Sequence, residues 1–368
     1  LNTSDTNRTP QGLKKAFLET CRGVNIAAMD LPDHADIDVP SERSADLADW
    51  PVHGLADDMR PALAAALARG PAALATIIAL GDGGPRPVGT QMVFGAGTRA
   101  GFLSGGCIEA DVEDHARSCM ADGQPRRLVY GEGSPWPDIR LLCGARIEIL
   151  VEALAPDDPA ARDLLTLATS RVPATWISDG LRRACGPVDQ PPEAWPGAFS
   201  RRFDPAPRLV VLGGDPTALA VADLGARSGF ETTLIRPKGP LAPPPLASVA
   251  YRRDEAATAL AAIGLDPWTA VAICGHDIAL DHAALATALP SLAPYVGLLG
   301  ARRRLGERLD RLRAAGVSER DLQKLRAPIG LDLGGKAPFE VAVAVIGEIM
   351  ATRHGQPALA RRETEAPR

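Results

Sequence analysis

Apolar and polar positions divide the chain into an irregular beginning and two patterned stretches. Residues 1 to about 60 are polar and show no period. Within them "MDLPDHADIDVPSERSADLADWP" sets seven acidic residues against one arginine, which reads as a mobile arm, either solvated or used for docking. Pattern begins at "MRPALAAALARG", an Ala/Leu helix ended by Gly70. "AALATIIAL" follows as a strand, "GDGGPRPVG" as a turn-rich loop, and "TQMVFGAG" with "RAGFLS" as a hairpin. A helix over 107–120 has Ile108, Val112, Ala116 and Met120 spaced four apart on one face. "RRLVYG" and "RIEILVEAL" supply two more strands. Together, 61–152 form a small α+β unit.

Residues 153–207 are rich in proline and weakly periodic apart from "ATWIS", and read as a connector. From 208 the period changes. "RLVVLGGDPTALAVADLGARSGFETTLIRP" is strand, glycine turn, helix, strand. Three more strands, "ASVAY", "TAVAICG" and "YVGLLG", alternate with helical stretches, and a last helix runs from about Pro338 to Arg353. Alternation of this kind implies a five-stranded parallel sheet with helices on both faces over 208–354. Residues 355–368 fray.

Composition narrows the class. At 368 residues there is room for about two domains. With 46% hydrophobic and 23% charged residues, the chain has an ordinary globular balance. No apolar run is long enough for a membrane span, and the first residues lack a signal-peptide core. The first residue is Leu rather than Met, the mark of a trimmed end. A net charge of −5 argues against a nucleic-acid binder. Six scattered cysteines, without a C-x-x-C pair or zinc spacing, fit a reducing cytoplasm.

Candidate chemistry lies in five stretches of the chain, with Arg236 beside them. Ser104-Gly105-Gly106 can turn sharply and expose successive N–H groups as an anion nest, with Cys107 in the first turn of the helix that follows. There the thiol suits a soft metal or a sulfur carrier. Against this, Glu109, Asp111, Glu113 and Asp114 compete for the helix end, and cysteine is also a common core residue. Gly213-Gly214-Asp215 stands where a dinucleotide fingerprint would, but Asp215 replaces the glycine that lets a pyrophosphate approach. Arg236 replaces the acid that would hold ribose hydroxyls, so NAD fits poorly and any residual binding favours NADP. Gly275, His276 and Asp277 end the fourth strand beside that turn, as a ligand-facing group or a plain helix cap. Arg302, Arg303 and Arg304 oppose the dipole of the helix they begin unless an anion offsets them, and Lys336 sits in the glycine-rich "APIGLDLGGKAP".

The stretches "GPRPVGTQM", "SGGCIE", "CGARIEILVE", "RLVVLGGDPTALA", "YVGLLGARRR" and "GVSERDLQKLRAPIGLDLGGKAPFEVAVAVIGEI" resemble the XdhC/CoxI family. These are accessory proteins of xanthine dehydrogenase and related molybdenum hydroxylases, and the likeness covers about 60–354. The resemblance implies an amino-terminal XdhC unit and a Rossmann-like half in a cytoplasmic homodimer. It implies a chaperone rather than a catalyst: one that binds molybdenum cofactor, protects it during sulfuration by a cysteine desulfurase and inserts it into an apo-hydroxylase. The cofactor would be molybdopterin or its cytosine dinucleotide form. On this reading Cys107 contacts molybdenum or sulfur, Arg86 is its electrostatic companion, and Ser104, Gly105, Gly106, Glu109, Gly213, Gly214, Arg236, His276, Arg302, Arg303 and Lys336 line the cofactor. An NAD(P)-dependent oxidoreductase and a cofactor-free docking scaffold for hydroxylase maturation are the alternatives.

Overall fold

The computed structural model describes residues 51–356, apart from 82, 83, 85, 133, 135–143, 145 and 301–303. Most of the expected acidic arm, the stretch beyond 356, Cys21, Cys143, Arg302 and Arg303 lie outside the described residues.

Helix α1 (Arg60–Leu67) leads into an antiparallel sheet built from β1 (Ala72–Leu80), β2 (Gln91–Gly95), β3 (Thr98–Gly101), β4 (Arg126–Tyr130) and β5 (Ile147–Leu154). The strand order is β3-β2-β1-β5-β4. Side chains alternate across a strand, and β1 shows it directly. Ala73, Ala75 and Ile77 pack with α2 (Glu109–Asp122), whereas Ala72 and Leu74 face α1. The α2 seam contains Ile108, Val112 and Ala116, all fully buried, as their spacing requires.

The stretch 153–207 is not an irregular connector. It carries α3 (Pro159–Thr169) and an antiparallel sheet of β6 (Ala174–Ser178), β7 (Arg183–Pro187) and β8 (Phe199–Phe203), ordered β7-β6-β8. Ala160, Ala161, Leu164, Trp176 and Phe203 complete the core that α1 shares with the first sheet. The start signals of α3 are local: Asp158 caps it, accepting from the Ala161 N–H at 3.0 Å, and Pro159 opens its first turn. Strands β7 and β8 escape a hydrophobic reading because they are only half-buried and carry arginines on exposed and packed positions alike.

The last part is the parallel sheet. Its strands are β9 (Arg208–Leu212), β10 (Glu231–Ile235), β11 (Val249–Arg252), β12 (Thr269–Ile273), β13 (Tyr295–Leu298) and β14 (Leu325–Arg326), ordered β11-β10-β9-β12-β13-β14. Five strands are those the sequence pattern gives; the sixth is two residues long, too short for any periodicity to reveal. Helices α4 (Pro216–Arg227) and α9 (Pro338–Arg353) cover one face. The other is covered by α5 (Ala256–Ile263), α6 (Ile278–Ala288), α7 (Leu305–Ala314) and the short α8 (Glu319–Leu322). Arg171, after α3, ties the two halves together through Asp266 at 2.6 Å and Glu231 at 3.2 Å. Strand order reverses between β9 and β12, so the carboxyl ends of those strands flank a crevice. No helix among the described residues is long and apolar enough to cross a membrane.

Candidate functional site

Helix α2 begins two residues later than its pattern predicts, at Glu109, so Cys107 precedes the helix rather than lying in its first turn. The cause is Glu109 itself, which is 2% exposed. Its Oε1 accepts from the N–H groups of Leu103 at 3.1 Å and Ser104 at 2.6 Å, and Oε2 accepts from the Ile108 N–H at 3.2 Å. The Ser104 hydroxyl lies within 3.0 Å of both oxygens and accepts from the Cys107 N–H at 3.2 Å. Of the expected anion nest, the Ser104 N–H is thus taken by the chain's own carboxylate, together with the N–H groups of Leu103 and Ile108 on either side. Glu109 is a strut rather than a ligand-facing group.

That strut holds Gly105, Gly106 and Cys107 out as an exposed tip. Gly106 has φ +95°, which favours glycine, and nothing lies within 4 Å of a Cβ added at either glycine. The acids crowding α2 are engaged elsewhere: Asp111 accepts from the Tyr130 hydroxyl at 2.5 Å, Glu113 pairs with Arg99 and Arg117, and Asp114 with Arg117. Among the described cysteines Cys107 alone is exposed. Burial raises the Cys119 thiol and pushes those of Cys185 and Cys274 to about 12, leaving them poor nucleophiles.

The crevice of the parallel sheet gathers Gly213, Gly214, Asp215, Arg236, His276 and Asp277 around about 280 Å³. The sequence places these residues together correctly, because the strand order fixes which turns meet. Their chemistry differs from that of a nucleotide fingerprint. Asp215 caps α4, accepting from the Ala218 N–H at 2.8 Å, and its other oxygen meets His276 Nε2 at 3.0 Å. Asp277 caps α6 in the same way. Gly213, at φ +150°, is wedged between the Cys274 carbonyl and Ala218, where a Cβ would come within 2.8 Å of both. Gly214 makes room for Arg236, whose Nε would lie 2.3 Å from a Cβ there. Both glycines thus serve packing, and a side chain covers the turn where a pyrophosphate would approach. Buried beneath, Asp281 has its carboxyl raised by desolvation and pairs with Arg308 at 3.1 Å.

Lys336 stands apart from the crevice lining, on the exposed loop before α9. Glu340 accepts from the Lys336 and Ala337 N–H groups, each at 2.9 Å, so this glycine-rich turn too is closed by its own acid. Arg86 does not line the crevice either. It borders a separate cavity of about 470 Å³ with Arg201 and Arg202, and Cys107 is not among the residues lining it. Sequence reasoning does not single out Arg201. The available signal is an arginine between Phe199 and Phe203 on one face of a strand, where an apolar residue is expected.

Comparison with known proteins gives two family matches. The XdhC and CoxI family matches residues 65–131, and the XdhC Rossmann domain matches 209–349. The molybdenum cofactor insertion chaperone PaoD of Escherichia coli is 30% identical over 77% of this chain and 83% of its own length. A probable xanthine dehydrogenase component of Bacillus subtilis is 24% identical over 77% of this chain and 93% of its own. The crystal structure of a xanthine dehydrogenase from Bacillus halodurans shares the fold, with TM-score 0.64 and 22% identity, over 84% of this chain and 98% of that one.

Proposed function

The chain belongs to the XdhC and CoxI family, and from that membership we propose that it is a molybdenum cofactor carrier without turnover of its own. It takes up the pterin cofactor as cargo, shields it while a cysteine desulfurase supplies the terminal sulfido ligand, and delivers it to an apo molybdenum hydroxylase. The likeness to PaoD, named as a cofactor insertion chaperone, supports the reading. The observation that carries it is the exposed thiol of Cys107 on a loop braced by Glu109. A soft sulfur donor suits molybdenum or a transferable sulfur, and a braced loop presents it at little further ordering cost.

The residues fit one end of such a cargo. Cys107 would meet the metal end, while Arg99, on β3, is already paired with Glu113. A second reading, a nucleotide-dependent oxidoreductase, has the sheet order in its favour and the capped, arginine-covered glycine turn against it.

The test is retention. Incubated anaerobically with released cofactor and passed through gel filtration, the wild-type chain carries molybdenum and pterin in roughly equal amounts. Cys107→Ser elutes at the same volume with most of the metal lost. Elution of the wild type free of pterin refutes the proposal; full retention and delivery by Cys107→Ser removes the thiol from it.

A further inference from the structure

The cavity beside Arg86 is lined by Asp57, by the loop Arg86–Thr90 and by Phe199–Arg202 of β8, an edge strand of its sheet. Its three arginines are not equivalent. Arg202 is half exposed and pairs with Asp204 at 2.7 Å. Arg86 bonds Asp57 through Nη2, but its Nε is buried with no acceptor among the described residues. Arg201 has no carboxylate partner among the described residues, and its Nη1 is buried and unmet. Its guanidinium rests 4.1 Å from the Phe203 ring, and its stem lies against Gly89. Gly89 has φ +91°, and a Cβ there would sit 3.6 Å from both Cδ and Nε of Arg201.

Arg60 touches the same phenylalanine and shows the difference. It bonds Asp58 through two nitrogens at 2.8 Å and the Asp204 carbonyl at 2.8 Å. Asp58 is the carboxylate that offsets the charge of Arg201, and it is already committed to Arg60. Burial consequently draws the Arg201 guanidinium down to about 10, with Asp58 offsetting only part and Arg60 adding to the loss. An unpaired, largely buried cation destabilises the ligand-free chain. Groups held against stability in this way concentrate at binding sites. A guanidinium fork with unmet donors is complementary to a tetrahedral or planar oxyanion.

We propose that this cavity is an oxyanion site that takes the phosphate monoester of a small organic molecule. Arg201 and Arg86 supply the unmet N–H donors, and Ser200 is also among the lining residues. About 470 Å³ is far more than one phosphate fills, and Phe199 and Val88 offer apolar wall for the group that carries it. Nothing in this site depends on the molybdenum cargo. A chain that binds phosphate esters here and retains no pterin keeps the site and loses the carrier reading, and the converse separates them equally.

The experiment is titration calorimetry and thermal melting of the full chain at low salt. The probes are inorganic phosphate, guanosine monophosphate and guanosine. The monophosphate binds and raises the melting temperature, inorganic phosphate binds more weakly, and guanosine does not bind. Arg201→Met loses about tenfold to a hundredfold in affinity, yet melts higher than wild type without ligand, a gain that a merely structural arginine would not give. Arg86→Gln, which leaves the Phe203 stack and Gly89 contact in place, loses affinity too and decides the matter if Arg201→Met fails to fold. Absence of monophosphate binding in the wild type, or undiminished binding in both variants, overturns the site. Phosphate binding as tightly as the monophosphate overturns the organic part of the assignment.

Discussion

Glu109→Gln is the substitution that most directly separates bracing from binding at the Cys107 loop. The change preserves shape and removes one acceptor. If the amide oxygen replaces Oε1, the N–H groups of Leu103 and Ser104 keep their partner, but the new NH2 faces the Ile108 N–H, donor against donor. The opposite flip leaves two N–H groups unmet. A buried unsatisfied donor costs roughly 1–3 kcal/mol, so the favoured flip costs about 2 kcal/mol. At about 2–4 °C per kcal/mol for a domain of 150–250 residues, melting falls by about 4–8 °C. Scanning calorimetry reads that shift, and hydrogen exchange over 103–108 shows where it arises, with faster exchange expected there. Glu109→Ala, which removes every acceptor, falls further. A Glu109→Gln chain that melts within a degree of wild type, exchanges at the same rate and nonetheless loses cofactor would refute the strut and return Glu109 to the ligand.

Two further outcomes concern the crevice and the end of α2. Asp215→Asn keeps a capping side chain, and so its stability to within a few tenths of a kcal/mol, while removing the charge that opposes a phosphate in the crevice. With about 4 Å between the charges, repulsion is roughly 1 kcal/mol in water and about 4 kcal/mol near a protein surface; calorimetry should show NADP affinity rising at least about fivefold, and tight NAD binding by the wild type would contradict the reading of the turn. Asp122, bonded by Arg126 and by the Gln124 N–H, has its carboxyl lowered from 3.8 to about 2; because the folded value is the lower one, its contribution is complete above about pH 4 and is lost as pH falls toward 2, so a carbon-detected titration finds a midpoint near 2, and a midpoint near 3.8 would break the pairing.

Much of the fold is legible because long apolar segments leave few alternatives. Ala72–Leu80 and Pro338–Arg353 are continuous enough that their ends coincide with the pattern. The middle stretch is hidden for a physical reason. Helix α3 buries only Ala160, Ala161 and Leu164, and β8 interleaves arginines with its two phenylalanines. Those elements gain their stability from the core shared with α1, which is tertiary context that no local period records. In the parallel sheet, by contrast, topology does the placing: once strand and helix alternate, the turns after β9 and β12 must meet, and Gly213, Gly214, Arg236 and His276 meet there.

The candidate site is legible in its positions and not in its charges. Each of three glycine-rich turns at a helix start offers backbone N–H groups to an anion, and the sequence cannot say whose anion it is. In the fold Glu109, Asp215 and Glu340 each answer for their own turn, one to six residues from the N–H groups they satisfy. A carboxylate that near in sequence arrives with no loss of translational freedom, so it outcompetes a free ligand for the same N–H groups. The same logic identifies where an external anion is wanted. It is the cation whose carboxylates are already committed, and Arg201 fits that description because Asp58 has gone to Arg60 and Asp204 to Arg202. An arginine of this kind leaves no motif, since the absence that defines it rests on Asp58 and Arg60, more than a hundred positions away.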